Sequence, residues 1–186
     1  VIVYGGEYQN QLSLTDDNIH EAADLWISDP DEAEEVYGHI SGWDVSAVTN
    51  MAELFRDVSF NDDISGWDVS NVTNMVAMFR YSNGFDQDLS SWDVSSVTNM
   101  SGLFYGTPFN HPLDTWDVSN VTEMTGTFQY CTSFNQDIGD WNTSSVLRLR
   151  ETFKGANSFD QDLSSWDVSN VSDWEQTFAT SNGNPD

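Results

Sequence analysis

Basic residues are almost missing from this chain: Lys and Arg together number 5 against 31 Asp and Glu in 186 residues, leaving a net charge of −26. Such a surface repels phosphate backbones and anionic membrane, so nucleic acid is excluded as a partner. It suits cations, basic partners or neutral polymers, and salt adaptation is a bland explanation of the same charge. Cysteine occurs once, as Cys131, which excludes an internal disulfide and leaves the redox compartment unread. No apolar run reaches the length of a membrane span, which argues against direct membrane insertion, and no signal peptide opens the chain. The opening VIVYGGEYQN reads as an internal stretch, so the chain is expected to be a monomeric fragment of a larger protein. Catalytic signatures are missing as well: G-x-S-x-G, H-E-x-x-H, P-loop and G-x-G-x-x-G do not occur. His20, His39 and His111 are isolated, and the carboxylates recur as copies, without the asymmetry that acid–base catalysis needs. The expectation is a protein that is not an enzyme and requires no cofactor.

Aromatic residues, in contrast, are plentiful. Eight Trp and eleven Phe argue against the disorder that strong acidity can bring. Tryptophans at 43, 67, 92, 116, 141 and 166 recur every 24 or 25 residues inside the phrase SGWDVSNVTNM and its variants. A fixed period of this size marks units that bury their apolar faces only by stacking on neighbours. Phe60, Phe85, Phe109, Phe134 and Phe159 form a second aromatic column ahead of the later units. In Trp-Asp-Val the first and third residues share a face, the period of a strand. Met75, Met78 and Phe79 then follow at i, i+3 and i+4, which predicts one or two helical turns with Thr73 as N-cap.

Residues 1–39 lack the phrase and are expected to form an N-terminal helical cap. LTDDNIHEAADLW predicts a helix with Thr15 as N-cap and Leu14 stapled onto Ile19. DPDEAEEVYG predicts a second, with Asp29 as N-cap, Pro30 at the first helical position, Glu32 closing a capping box and Gly38 at the end. Residues 40–186 are expected to form six repeats and a short tail.

Three polar columns run through the repeats. The first is Asp44, Asp68, Asp93, Asp117, Asn142 and Asp167. On a parallel sheet its members would stand about 4.8 Å apart and repel by about 0.9 kcal/mol per pair in a water-like dielectric. Two readings stand. Each Asp accepts a local bond from the Ser two residues on, or the column is a carboxylate strip for Ca²⁺ or a cationic partner, with Asp68, Asp93 and Asp117 as metal ligands. The second column, Asn61-Asp62-Asp63 and its counterparts before each strand, is oxygen-rich but lacks an EF-hand loop; turn and edge bonding is the simpler reading. The third is Thr49, Thr73, Thr98, Thr122 and Ser172, which helix capping explains better than an ice-binding plane, since Leu147 breaks the row. Asn71, Asn120, Asn142 and Asn170 head glycosylation sequons that follow from the repeat wording.

The offsets L-x-x-W-x-V-x-x-V-x-x-M-x-x-[LM]-F across residues 40–178 resemble a BspA-like (Treponema pallidum-type) leucine-rich repeat. FNQDIGDWNTSSV and FDQDLSSWDVSNVSDW are similar to the subfamily found in mycoplasma surface lipoproteins and marine microbial surface proteins. Trp in place of an aliphatic residue, and Ser in place of Pro, are departures. The resemblance implies an α/β solenoid: a leucine-rich-repeat-like right-handed coil of six units of 24–25 residues, each a short parallel strand plus a short helix. It also implies an extracellular or cell-surface module that binds a protein or glycan, in adhesion. The expected ligand surface is the acidic column, Asp44, Asp68, Asp93, Asp117, Asn142 and Asp167, with Ca²⁺ as an optional aid; the alternative is a structural spacer with no ligand of its own.

Overall fold

In a computed structural model that describes residues 13–179, helix appears only ahead of the first central tryptophan. Helix α1 spans Ile19–Ser28, helix α2 spans Pro30–Tyr37, and a single 3₁₀ turn covers Ile40–Gly42. Asp29 caps α2 as expected, accepting from the Glu32 N–H at 3.1 Å, with Pro30 at the start and Gly38 at φ 77° ending it. The expected cap of α1 is corrected. Asn18, not Thr15, precedes the helix, and no side chain caps it. Thr15 instead opens a tight turn in which the Asn18 side chain accepts from the Thr15 N–H at 2.7 Å.

The α/β solenoid, with its leucine-rich-repeat-like units of strand plus helix, is overturned. Among the described residues β pairing is reduced to six isolated parallel bridges, five of them running Asn50–Asn74–Asn99–Glu123–Arg148–Asp173, with no extended strand and no sheet. Among the described residues no repeat contains an α-helix, and the 3₁₀ turn at Ile40–Gly42 only opens the first. Both failures have local causes. Trp-Asp-Val is clamped by turns on either side, Trp43 N–H donating to the Ile40 carbonyl and Val48 N–H to that of Val45. The aspartate between them takes the Ser46 N–H for itself, removing a donor that a sheet ladder would need. In the segment that reads as helical, Glu53 and Asp57 lie in the left-handed region, at φ 63° and 59°. A left-handed residue every fourth position stops a helix from propagating. Glu53, Ala77, Gly102, Gly126, Glu151 and Gln176 hold one such place in successive repeats, and Asp57, Tyr81, Gly106, Tyr130 and Gly155 the next.

The freed backbone groups bond between repeats instead. Met51, Glu53, Phe55 and Asp57 donate to the carbonyls of Asn74, Val76, Met78 and Arg80 at 2.8–2.9 Å, and the same set of four recurs through Leu149, Glu151, Phe153 and Gly155 donating to Asp173, Glu175, Thr177 and Ala179. Bonds of opposite sense run from Thr73 to the Thr49 carbonyl and from Thr98 to that of Thr73. The repeats therefore lie on one another as six turn-built layers, counted here by their tryptophans.

Aromatic columns fill the interior. Phe55 and Phe60 stack at 3.7 Å within layer one, and Phe79 and Phe85 at 3.7 Å within layer two, while Phe55 and Phe79 stack at 6.0 Å between them. Trp43 stacks on Trp67 and Trp141 on Trp166. The central tryptophans of layers one to five are buried, and each indole finds a carbonyl in the preceding layer: Trp67 to Ile40, Trp92 to Ile64, Trp116 to Leu89 and Trp141 to Leu113, at 2.9–3.1 Å. That bond explains tryptophan where an aliphatic residue was expected, because the ring fills the core and its N–H cross-links layers.

The segment before layer one closes the threonine and indole series of inter-layer bonds. Asp16 accepts from the Thr49 N–H, the Asn50 N–H and the Thr49 hydroxyl at 2.6–2.9 Å, standing where a preceding layer would place a carbonyl. The Gly38 carbonyl likewise receives the Trp43 indole at 2.9 Å.

Candidate functional site

The acidic column is committed to local bonds. Asp44, Asp68 and Asn142 accept from both the N–H and the hydroxyl of the serine two residues on; in Asp68 these bonds are 3.1 and 2.6 Å. Asp93, Asp117 and Asp167 accept from the N–H of Ser95, Ser119 and Ser169. The serine bonds hold the carboxyls of Asp44, Asp93, Asp117 and Asp167 below the ordinary aspartate value. Repulsion between layers is present as well, since Asp117 pushes the Asp93 carboxyl in the opposite direction, more weakly than the serine does. Among the described residues no group of three His, Cys, Asp or Glu is placed to hold a metal ion; Asp68, Asp93 and Asp117 are not brought together as one.

The other columns also spend their polar groups on bonds within the stack. Asp63, Asp88 and Asp162 repeat the serine turn, while Asn61 accepts from the Asp86 N–H and the Gln87 amide donates to the Asn61 carbonyl. The threonine column does not cap helices, since no helix is there. Thr73, Thr98 and Thr122 donate both N–H and hydroxyl to the threonine carbonyl one layer back. The sequon amides of Asn71, Asn120 and Asn170 donate to Ser46, Ser95 and Ser144 carbonyls. Burial pushes the Cys131 thiol up to about 12, and its Sγ bonds the Phe104 and Thr107 carbonyls, so it is no nucleophile.

One surface is not used up in this way. The left-handed column carries Glu53, then Ala77, Gly102 and Gly126, then Glu151. The small residues leave a groove of ≈ 360 Å³, lined also by Val76, Ser101 and Thr125, with the carboxylates Glu53 and Glu151 at its ends. Four layer steps of about 4.8 Å make it about 19 Å long. Arg80, Tyr105 and Gln129 wall it. Tyr105 packs edge-on against Tyr81 at 4.8 Å and Tyr130 at 5.5 Å, and accepts the Tyr81 hydroxyl at 3.2 Å. Burial, then the Tyr81 bond, raises the Tyr105 phenol further, so it stays protonated. At the far end Lys154 donates to Glu151 at 2.9 Å and the Gln129 amide at 3.1 Å, holding that carboxyl below its ordinary value.

Arg80 stands apart from the other cations. Arg56 pairs with Glu53 and Asp57, Arg148 with Glu123, Arg150 with Glu175 and Lys154 with Glu151. Among the described residues Arg80 alone has no carboxylate partner. Its guanidinium lies 4.6 Å from the Tyr105 ring centre and 5.4 Å from that of Tyr81, and its Nε is buried with no hydrogen-bond acceptor. Sequence reasoning placed none of Arg80, Tyr81, Tyr105, Tyr130, Gln129 or Glu151 in a site. The signals were there: one of only five cations, and tyrosines recurring at the repeat spacing.

Residues 30–114 and 106–184 match the family described as "Mycoplasma protein of unknown function, DUF285". The two matches span most of the chain, which belongs to this family. Its description fits the mycoplasma part of the resemblance and does not extend to leucine-rich repeats. None of the curated proteins and no solved structure matches the chain. Among the described residues no helix is long and apolar enough to cross a membrane.

Proposed function

We propose that this chain is a non-catalytic recognition module of a cell-surface or extracellular protein, and that it binds a glycan in the groove floored by Ala77, Gly102 and Gly126. Arg80 carries the reading. In a chain of net charge −26, a guanidinium left without a carboxylate lies within cation–π distance of two tyrosine rings, with a donor still unsatisfied. Tyrosine faces, Gln129 and Glu151 beside it supply the apolar surface and planar polar groups that sugar hydroxyls take up. The ligand surface thereby moves from the acidic column, where each Asp gives one oxygen to the serine two residues on, to the groove. Ca²⁺ has no part in this reading.

A structural spacer remains the second reading, favoured by how completely the repeated Asp, Asn and Thr columns bond to the stack itself. Calorimetric titration separates the two, using neutral gluco- and galacto-oligosaccharides and uronate oligomers as probes. Binding to one of them, weakened tenfold or more by Arg80→Gln and by Tyr105→Ala at unchanged unfolding temperature and unaffected by EDTA, is the expected result. Binding that survives both substitutions, or no binding to any probe, favours the spacer.

A further inference from the structure

The face of layer six differs from every other layer boundary. Val168 is 40 % exposed, Phe178 50 % and Trp174 68 %, whereas their counterparts in layers two to four are buried. With Leu149, Leu163, Trp166 and Thr177 they line an apolar hollow of ≈ 420 Å³. Beside it the backbone is open too. At each earlier boundary alternate N–H groups donate to the carbonyls of the next layer, as Leu149, Glu151 and Phe153 do to Asp173, Glu175 and Thr177. The equivalent donors of layer six are the N–H groups of Trp174, Gln176 and Phe178, and among the described residues they have no acceptor. In layer one the outward-facing donors are met, those of Thr49 and Asn50 by Asp16 and the Trp43 indole by the Gly38 carbonyl.

From these two observations we infer that the layer-six face is a docking surface for a further unit of this same repeat carried on the same polypeptide. Three donors at every second residue call for a row of carbonyls at the same spacing. A segment folded like residues 173–179 supplies such a row, and its phenylalanine would fall on Phe178 as Phe178 falls on Phe153 at 5.5 Å. The Leu163 carbonyl stands where the next indole would donate, as Ile138 does for Trp166 at 3.0 Å. A second copy brought face to face would offer the same three donors instead of the carbonyls they need.

The test is to insert a second copy of residues 155–179 directly after Ala179 in the full chain and to follow hydrogen exchange and tryptophan emission. Amides of Trp174, Gln176 and Phe178 are expected to exchange at least tenfold more slowly than in the parent, with Trp174 emission moving to the blue, while the equivalent amides of the inserted copy stay fast. An inserted unit that leaves those amides and Trp174 exposed overturns the inference. So does sedimentation showing that the parent already self-associates at micromolar concentration with the same amides protected, because the face would then belong to a second copy.

Discussion

Asp93 illustrates how single side chains set this structure. Its Oδ1 takes the Ser95 N–H at 3.0 Å, and the serine is the main reason its carboxyl sits below the ordinary value. An uncharged oxygen can take the same pair of bonds, as Asn142 shows with Ser144 at 3.2 and 2.7 Å, though without the charge-assisted share. Asp93→Ala should therefore cost about 1 kcal/mol for the lost acceptor, whereas Asp93→Asn should cost less, because it keeps the acceptor and also relieves the weaker repulsion from Asp117, a relief that shrinks in high salt. Urea unfolding of both variants at two salt concentrations checks this. Backbone handedness gives a second prediction at the same scale. Gly102 holds φ 65° with room for a methyl group, so Gly102→Ala should cost about 1–2 kcal/mol from the left-handed conformation alone. At Gly106 a β-carbon would also lie 2.8 Å from Tyr81 Cδ1, so Gly106→Ala should cost more and displace the Tyr81 ring, visible in its aromatic NMR shifts.

Each layer is stabilised by its neighbours more than by itself. Trp92 is buried, packs on Phe79 at 6.4 Å and donates to Ile64 one layer back. Trp92→Ala should cost about 3–5 kcal/mol, and hydrogen exchange should show layers two and three loosening before the ends, because units couple only to those they touch. A variant melting within a degree of the parent would contradict the packing. Burial was legible at this scale: Trp43, Val45, Val48, Met51 and Phe55 are interior and Asp44 is outside, as the offsets predict. The elements were not. Spacing at i, i+3 and i+4 is shared by a helix and by successive turns broken by left-handed residues, and only backbone conformation separates them. Gly102, Gly106, Gly126 and Gly155 marked those places, but Glu53, Ala77, Tyr81 and Tyr130 stand there in other layers and hid the column. The fifth unit, whose Arg148 and Arg150 interrupt the acidic pattern, turns out to clip layer five to Glu123 on one side and Glu175 on the other. The groove was illegible for a related reason, since its floor depends on small residues at the left-handed places and its walls on residues from three repeats.

Across the whole molecule, charge and its few exceptions decide behaviour. Burial opposes ionisation of Asp16, but bonds from Thr49 and Asn50 outweigh it and hold the carboxyl low. With folded values below the unfolded one, near 3.8, Asp16, Asp93 and Asp117 contribute stability that is present above that pH and lost as pH falls through the folded values. Unfolding midpoints should hold between neutrality and pH 5 and decline below about 4, while added salt should raise stability at neutral pH by screening the net charge of −26. A midpoint that rises steadily to pH 3 would mean that repulsion, not the serine turns, dominates. The same excess of carboxylate makes Arg80 conspicuous, and its Nε–H proton can be watched directly. ¹⁵N NMR of the arginine Nε–H signals, recorded while the chain is titrated with the oligosaccharide panel, should show the Arg80 signal shifting in a saturable way with Arg56, Arg148 and Arg150 unmoved. Saturable binding that leaves the Arg80 signal in place, or moves the paired arginines instead, would contradict the groove as the ligand site.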